Sequence, residues 1–398
     1  MEATVSPRVE RKMVYAGVAA ESFGQASDHL QTLANLEIKS ERIRRATHRN
    51  GKQRWELRNL LEQAFLAKSI PEQLYGGPAE KDAPPIAVVM SDGGKYQLFD
   101  RKSDRASADA HWGESRIATL LSMTGQQHSS DPQVELPDFL QDVSIAQKLA
   151  EIGRIAGENP TDDFSDKEQQ PPWERPEMLG KEVIASGKSW EQFGPMVASA
   201  AWYQGFAKAT VKVFVSDGSH AIEKMQHRWF SDYTSVLDIM HALSYALAAA
   251  RAAHDDQPDA WACYRRLATW IWQGNVDQAI EELDRWQERL GPAPAGGSES
   301  DPREIVRRSR VYYRNHRERM NYPEYRRMGY PLSSAIMEST VKQINRRVKG
   351  SEKFWSTEGG EAILGLRGDY LSGTRPLDAY WDQIAANANG QRNYSLSG

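Results

Sequence analysis

Short apolar runs alternate with longer amphipathic stretches along this chain, an order that predicts an α/β protein with helices covering a mixed sheet. Residues from Glu21 to Phe65 follow helical spacing. Within them, Ala26–Leu33 and Ser40–Thr47 form two helices joined by a tight turn around Leu36–Ile38, with Ser40 as N-cap and Glu41 in the first turn favouring the helix dipole. The second helix carries Lys39, Arg42, Arg44, Arg45 and Arg49. That set suits a helix-turn-helix DNA reader, with Arg44 and Arg45 at the DNA, or a plain helical hairpin.

Gly76–Pro85 has linker composition. Ile86–Met90 then reads as a strand, Asp92-Gly93-Gly94 as a turn, Lys95–Phe99 as the returning strand and Arg116–Met123 as a third. Leu136–Ile155 is expected to be helical, Pro160–Pro176 a polar loop and Met178–Lys208 helical again. Val211–Ser216 and Tyr233–Leu237 complete the predicted strands. From His241 to Leu290 the spacing is helical and rich in tryptophan (Trp261, Trp270, Trp272, Trp286). A break at Pro292–Pro302 precedes two further helices, Arg303–Tyr325 and Pro331–Lys349.

At 398 residues the chain is long enough for two or three domains. A single cysteine, Cys263, excludes a disulfide framework and a cysteine-rich zinc site. No stretch approaches the roughly 18 apolar residues of a membrane span, and the N-terminus lacks a signal-peptide pattern, so a soluble cytoplasmic protein is expected. The net charge of -4 gives no global attraction for nucleic acid. Charge is uneven, however: Asp301–Lys353 holds fourteen Lys/Arg against six Asp/Glu, and Asp131–Trp190 holds six against thirteen. A phosphate backbone responds to such local blocks.

Ser-Asp-Gly occurs twice, at Ser91-Asp92-Gly93 and Ser216-Asp217-Gly218, each time closing an apolar run. A carboxylate at the end of a buried strand is costly unless a cation sits beside it. Two such ends suggest two aspartates meeting at one hard cation, Mg²⁺ or Mn²⁺, for which Glu338 is the candidate third ligand. In Pro331–Lys349, Met337, Val341, Ile344 and Val348 follow core spacing, while Glu338, Lys342, Asn345 and Lys349 form the adjacent stripe. An acid continued by cations fits metal followed by phosphate. Arg346, Arg347, Lys353 and Trp355 extend that surface, with the Trp355 indole as a base-stacking group. Taken singly, an Asp before Gly is ordinary turn chemistry and Glu338–Lys342 an ordinary helix pair. Asp238 and His241, three apart near a strand end, are either support for the metal site or a structural pair.

The segment Gly329-Tyr330-Pro331-Leu332-Ser333-Ser334-Ala335-Ile336-Met337-Glu338-Ser339, with Lys342, Asn345-Arg346-Arg347-Val348-Lys349-Gly350 and Lys353-Phe354-Trp355, resembles the C-terminal catalytic block of bacterial insertion-sequence DDE transposases. The group it looks most like is the Kra-type insertion sequences, allied to the Mutator-like superfamily. Arg319-Met320-Asn321-Tyr322-Pro323-Glu324-Tyr325-Arg326, Trp272–Gly274 and the stretch from Asp217 to Ala242 fit the same pattern. The resemblance spans roughly Ala19–Ser372. It implies a ribonuclease H-like core with Asp92, Asp217 and Glu338 as a metal-binding triad, interrupted by an all-α insertion. The implied organisation is an N-terminal helical DNA-binding region (1–75), a first core part (84–241), the insertion (242–330), a C-terminal catalytic part (331–375) and a tail (376–398). The implied activity is Mg²⁺-dependent strand cleavage and strand transfer on double-stranded DNA, at element ends and target, by a homo-oligomer associated with the nucleoid when bound. Two features depart from the family pattern: no cysteine-rich segment precedes the helices, and Trp112-Gly113-Glu114-Ser115-Arg116 replaces the usual acidic-then-basic pair after Trp. A catalytically inactive or truncated transposase-derived DNA-binding protein is therefore the alternative, and an unrelated metal-dependent phosphatase or nuclease ranks below both.

Overall fold

One mixed sheet organises the chain in the computed structural model, which describes residues 5–99, 112–142, 175–294, 296–350 and 352–387. Its strands are β1 (Ile86–Leu98), β2 (Trp112–Thr124), β3 (Glu177–Ser186), β4 (Val211–Ser216), β5 (Thr234–Leu237) and the short β6 (Phe354–Trp355). They lie in the order β3-β2-β1-β4-β5, with β6 also paired to β1. β1, β2 and β3 are mutually antiparallel neighbours, whereas β4, β5 and β6 join through parallel pairings.

Alternation along β1 and β4 assigns the two faces. Val88, Met90, Val213 and Val215 point into one core, Ala87, Val89 and Phe214 into the other. The second core is closed by α5 (Trp190–Tyr203) and α6 (His220–Trp229), through Phe193, Val197, Ile222 and Met225. The first is closed by α7 (Ile239–Ala253), α12 (Ala335–Val348) and α13 (Thr357–Leu371), through Leu243, Ile344 and Ile363. Between α7 and α12 come α8 (Gln257–Trp272), α9 (Val276–Leu290), α10 (Pro302–His316) and α11 (Tyr322–Arg327), so the expected insertion holds helices and no strand among its described residues. The remaining helices are α1 (Pro7–Ala19), α2 (Phe23–Ala34), α3 (Ser40–Leu66), α4 (Ile70–Tyr75) and α14 (Pro376–Asn387). No helix among the described residues is long and apolar enough to cross a membrane.

The expected turn at Asp92-Gly93-Gly94 is not there. β1 runs straight through it, pairing Asp92 with Ile117, Gly93 with Arg116 and Gly94 with Ser115. The glycine at 94 serves close packing: a Cβ there would stand 2.8 Å from Ser115 Oγ and 3.2 Å from Asn345 Oδ1 of α12. Met178–Lys208 is not one helix either. Its first part is β3, antiparallel to β2 with Val183, Ile184 and Ala185 buried, and α5 begins only after Ser189, whose side chain and Gln192 form a capping box. Ser40 is the first helical residue of α3, not its cap, and that helix continues to Leu66. Pro331–Ser334 stays outside α12. Of the helix expected at Leu136–Ile155, a 3-10 turn at Asp138–Gln141 is seen, and the part from 143 lies outside the described residues, as does most of the loop at Pro160–Pro176.

The N-terminal helices share the core of the sheet. Val14 and Val18 of α1 belong to the first core, and Gly51 of α3 sits so close to α13 that a Cβ would stand 2.6 Å from that of Ala362. Arg347 and Arg367 tie α1 to the C-terminal block by donating to the carbonyls of Gly17 (3.0 Å) and Val18 (2.9 Å).

The insertion is fastened at Arg326, which is fully buried. Its Nε donates to Asp131 Oδ1 at 2.8 Å, its Nη2 to the carbonyl of Trp272 at 3.0 Å, and its guanidinium lies 4.1 Å from the centre of a Trp272 ring. Removing one member of a buried pair costs about 3–5 kcal/mol, because the other charge is stranded. Arg326→Met is therefore expected to destabilise by that amount in chemical denaturation, and Arg326→Met with Asp131→Leu by clearly less. Equal losses in single and double variants would refute this account of the pair.

Candidate metal centre

The parallel register of β1 and β4 places Met90 beside Val215. Asp92 and Asp217 each lie two residues further on, Asp92 in the middle of β1 and Asp217 directly after the end of β4, on the face covered by α12. Asp92 Oδ1 accepts from the amide of Gly93 at 2.6 Å, and Asp217 Oδ1 accepts from the amide of Ser219 at 2.9 Å. Asp92 keeps a narrow opening to solvent, but protein surrounds it closely. Burial, then the charge of Asp217 and more weakly that of Glu338, push its carboxyl up to about 7, against the Gly93 amide and His241. Glu338 stands in the first turn of α12 and is raised by burial and by Asp238, with His241 and Lys342 opposing. Asp92 thus senses both of the other acids.

Asp238 is fully buried and has a different task. As N-cap of α7, its Oδ1 accepts from the amides of Met240 (2.7 Å) and His241 (3.4 Å), while its Oδ2 accepts from the amide of Ser334 at 2.9 Å and from the Ser334 hydroxyl. Burial raises its pKa, but the nearby His241 imidazole and the bonds from Ser334 prevail and hold it below the usual range. His241 Nδ1 lies 3.4 Å from Asp238 Oδ2, at ion-pair distance but outside hydrogen-bond geometry. Burial would lower the imidazole; Asp238 first, then Asp217 and Glu338, outweigh it and raise the group to about 9. Ligand-type atoms of Asp238, His241 and Glu338 lie within 4.8 Å of one another, a set that leaves out Asp92 and Asp217. Of these two groupings, the oxygen-only donors of Asp92, Asp217 and Glu338 are the ones whose chemistry suits a hard cation. Asp238 has both oxygens engaged by backbone amides, and the carboxylates around His241 favour its protonated form, in which neither ring nitrogen has a lone pair to offer. His241 is the positive counter-charge for the acids instead.

Those acids fit Mg²⁺ or Mn²⁺ in donor type, being oxygen only, and in electrostatics, since converging carboxylates lack a full complement of positive charge. Residue by residue, the expected DNA-contacting surface fares unevenly. Lys342 and Arg346 are exposed on α12, one and two turns on from Glu338, and Lys349 is half-exposed just past its end. Asn345 is half-buried against Gly94. Lys353 donates to the carbonyl of Arg346 at 2.6 Å. Two residues are corrected. Arg347 is buried, held between Phe23 and Trp355 with ring centres 4.5 and 5.1 Å from its guanidinium. Trp355 is buried too, its Nε1 donating to the carbonyl of Val348 at 2.9 Å, so it cannot stack on an extruded base. Arg44 and Arg45 are both engaged by Glu41 of their own helix, at 2.7 and 2.9 Å.

The basic block is also less basic than its count. Arg303 pairs with Asp301, Arg307 with Glu304, Arg310 and Arg314 with Asp284, Arg317 with Asp277, and Arg327 with Glu324. Ser334 was the partner the sequence did not single out. Its signal was available: a Ser-Ser pair directly before an apolar helical run marks a helix start. No protein-family model matches the chain, and no curated protein matches it either.

The raised Asp92 sets a pH dependence with a definite sign. Its folded pKa exceeds the ordinary value of 3.8, so the metal-free protein loses stability from this group as pH rises from about 4 through 7. Asp92→Asn is expected to stabilise metal-free protein at pH 8 by about 1 kcal/mol, ~1 °C in Tm for a chain this long. The gain should shrink towards pH 4; thermal melts across that range check it, and a gain independent of pH would refute the assignment.

Proposed function

We propose that this chain is a DNA transposase that cleaves and joins strands at element ends with Mg²⁺ or Mn²⁺ held by Asp92, Asp217 and Glu338. The observation that carries the proposal is the approach of Asp217 and Glu338 to Asp92, one from the end of β4 and one from α12, with Asp92 raised by burial and then by these acidic neighbours. The order β3-β2-β1-β4-β5, an antiparallel meander followed by parallel crossovers, is what a ribonuclease H-like core requires and supports that reading of the fold. A divalent cation there supplies activation of the attacking water or 3′-hydroxyl and stabilisation of the leaving oxygen.

The protein's own groups do the rest. Asp92, Asp217 and Glu338 bind and orient the cation, and Asp238 with Ser334 fixes the start of α12 so that Glu338 faces the strands. Lys342 and Arg346 on the same helix, with Lys349 just past its end, form a basic surface for the phosphate backbone of double-stranded DNA. End recognition by α2 and α3, and assembly of a homo-oligomer on DNA, belong to the same proposal.

Terminal-repeat DNA incubated with the protein and Mg²⁺ or Mn²⁺ is expected to be nicked at the element end. Asp92→Asn, Asp217→Asn and Glu338→Gln should each remove that activity, and persistent cleavage in any of them would refute the triad. Tight end binding without cleavage in any divalent cation would favour a non-catalytic DNA-binding protein.

Charge removal on α12 gives a separate readout. Arg346→Gln with Lys349→Gln should weaken DNA binding at low salt and flatten the slope of log affinity against log salt by about 2. An unchanged slope would place the DNA elsewhere.

A further inference from the structure

The second strand aspartate is gripped from outside the sheet. β4 ends at Ser216 and α6 starts at His220, so Asp217 sits in a three-residue connection with little regular structure of its own. Each of Ser216, Asp217 and Gly218 meets a different side chain from one stretch of the insertion. The Tyr312 hydroxyl donates to the backbone carbonyl of Asp217 at 2.8 Å. Arg319 Nη2 donates to Ser216 Oγ at 2.7 Å. Gly218, at φ +86°, lies so close to His316 that a Cβ there would stand 2.7 Å from Nε2.

The positions 312, 316 and 319 are i, i+4 and i+7, one stripe along α10 and the 3-10 turn Arg317–Arg319 that continues it. The stripe is itself held rigid. Tyr312 stacks on Tyr245 of α7 with ring centres 3.9 Å apart and meets the His316 ring edge-on at 4.7 Å. Glu223 of α6 receives Arg319 Nη1 and lies 2.9 Å from His316 Nδ1. The connection around Asp217 is therefore fixed at the residue before it, at its own carbonyl and at the residue after it.

We propose that Tyr312, His316 and Arg319 are positioning residues that hold Asp217 against Asp92 and Glu338, so that the helical insertion sets the affinity of the metal centre. The proposal rests on the metal-centre reading above. Groups that orient a ligand from behind are commonly worth 10–100-fold in metal affinity, because a ligand free to move must be ordered on binding.

The test is a Mn²⁺ titration of the full chain, followed by electron paramagnetic resonance, with thermal melts in parallel. Tyr312→Phe and Arg319→Lys are expected to bind Mn²⁺ about ten-fold more weakly than the unmodified protein. Tyr325→Phe is the matched control: that buried hydroxyl donates to the carbonyl of Ser235 within β5, at 3.1 Å and away from Asp217, so its removal should lower Tm but leave Mn²⁺ affinity unchanged. Unchanged affinity in Tyr312→Phe and Arg319→Lys would overturn the proposal, and so would an equal loss in Tyr325→Phe. If the unmodified protein and Asp217→Asn bind Mn²⁺ alike, the metal-centre reading itself fails and the proposal falls with it.

Discussion

A single buried carboxylate joins the parts of the candidate centre. Asp238 directly follows β5, caps α7 and receives the amide and hydroxyl of Ser334, the residue directly before α12. With no exposed surface, it is tolerable as an anion only because backbone and hydroxyl donors, together with the nearby His241, satisfy it. Glu338 follows Ser334 by four residues, about one helical turn. The position of the third acid is thus set by a bond made one turn earlier. Asp238 need not touch a cation to govern where one would bind.

The same economy explains how a long helical insertion can sit beside a small site without disturbing it. Arg326, pinned between Asp131 and Trp272, fixes α11. Nearby tyrosines then reach the strand ends, Tyr322 to the carbonyl of Leu237 and Tyr325 to that of Ser235. At the opposite end of the chain, Arg347 and Arg367 bind the last turn of α1 and connect the N-terminal helices to α12 and α13. Buried arginines serve here because a planar guanidinium satisfies several carbonyls and still stacks on aromatic rings. Movement at the N-terminal helices would be felt along α12, the helix that carries Glu338.

Much of this was legible in the chain, for identifiable reasons. β4, β5 and the helical insertion announced themselves through clean periodicity, and the doubled Ser-Asp-Gly marked both strand aspartates. What failed was local chemistry overridden by tertiary contact. Asp92-Gly93-Gly94 has turn composition, yet pairing with β2 and the approach of Asn345 keep it extended. β3 was hidden because its buried end, Val183 to Ser186, runs into a capping box whose helix dominates the surrounding pattern. Arg347 and Trp355 looked like surface groups because charge and aromaticity in a basic stretch suit DNA. Only the packing of α1 against α12 reveals them as core. The grip of Tyr312, His316 and Arg319 on Asp217 spans about a hundred residues, and no local pattern could expose it.

Electrostatics gives the proposed reaction its sharpest constraint. Lys and Arg total 50 against 54 Asp and Glu, so the chain as a whole repels a polyanion. Most arginines of α10 and α11 are spent on acids of the insertion and leave little field for DNA. At physiological salt, charges more than about 8 Å apart are largely screened, so only cations beside the acids can hold a phosphate near them. Lys342, one turn from Glu338, meets that condition, and Arg346 and Lys349, eight and eleven residues on, extend the basic path beyond it. One helix would then hold acid for the cation at its first turn and base for the phosphate over the next three. A strand of DNA would be drawn along α12 towards the carboxylates, while His241 balances part of their charge until a cation arrives.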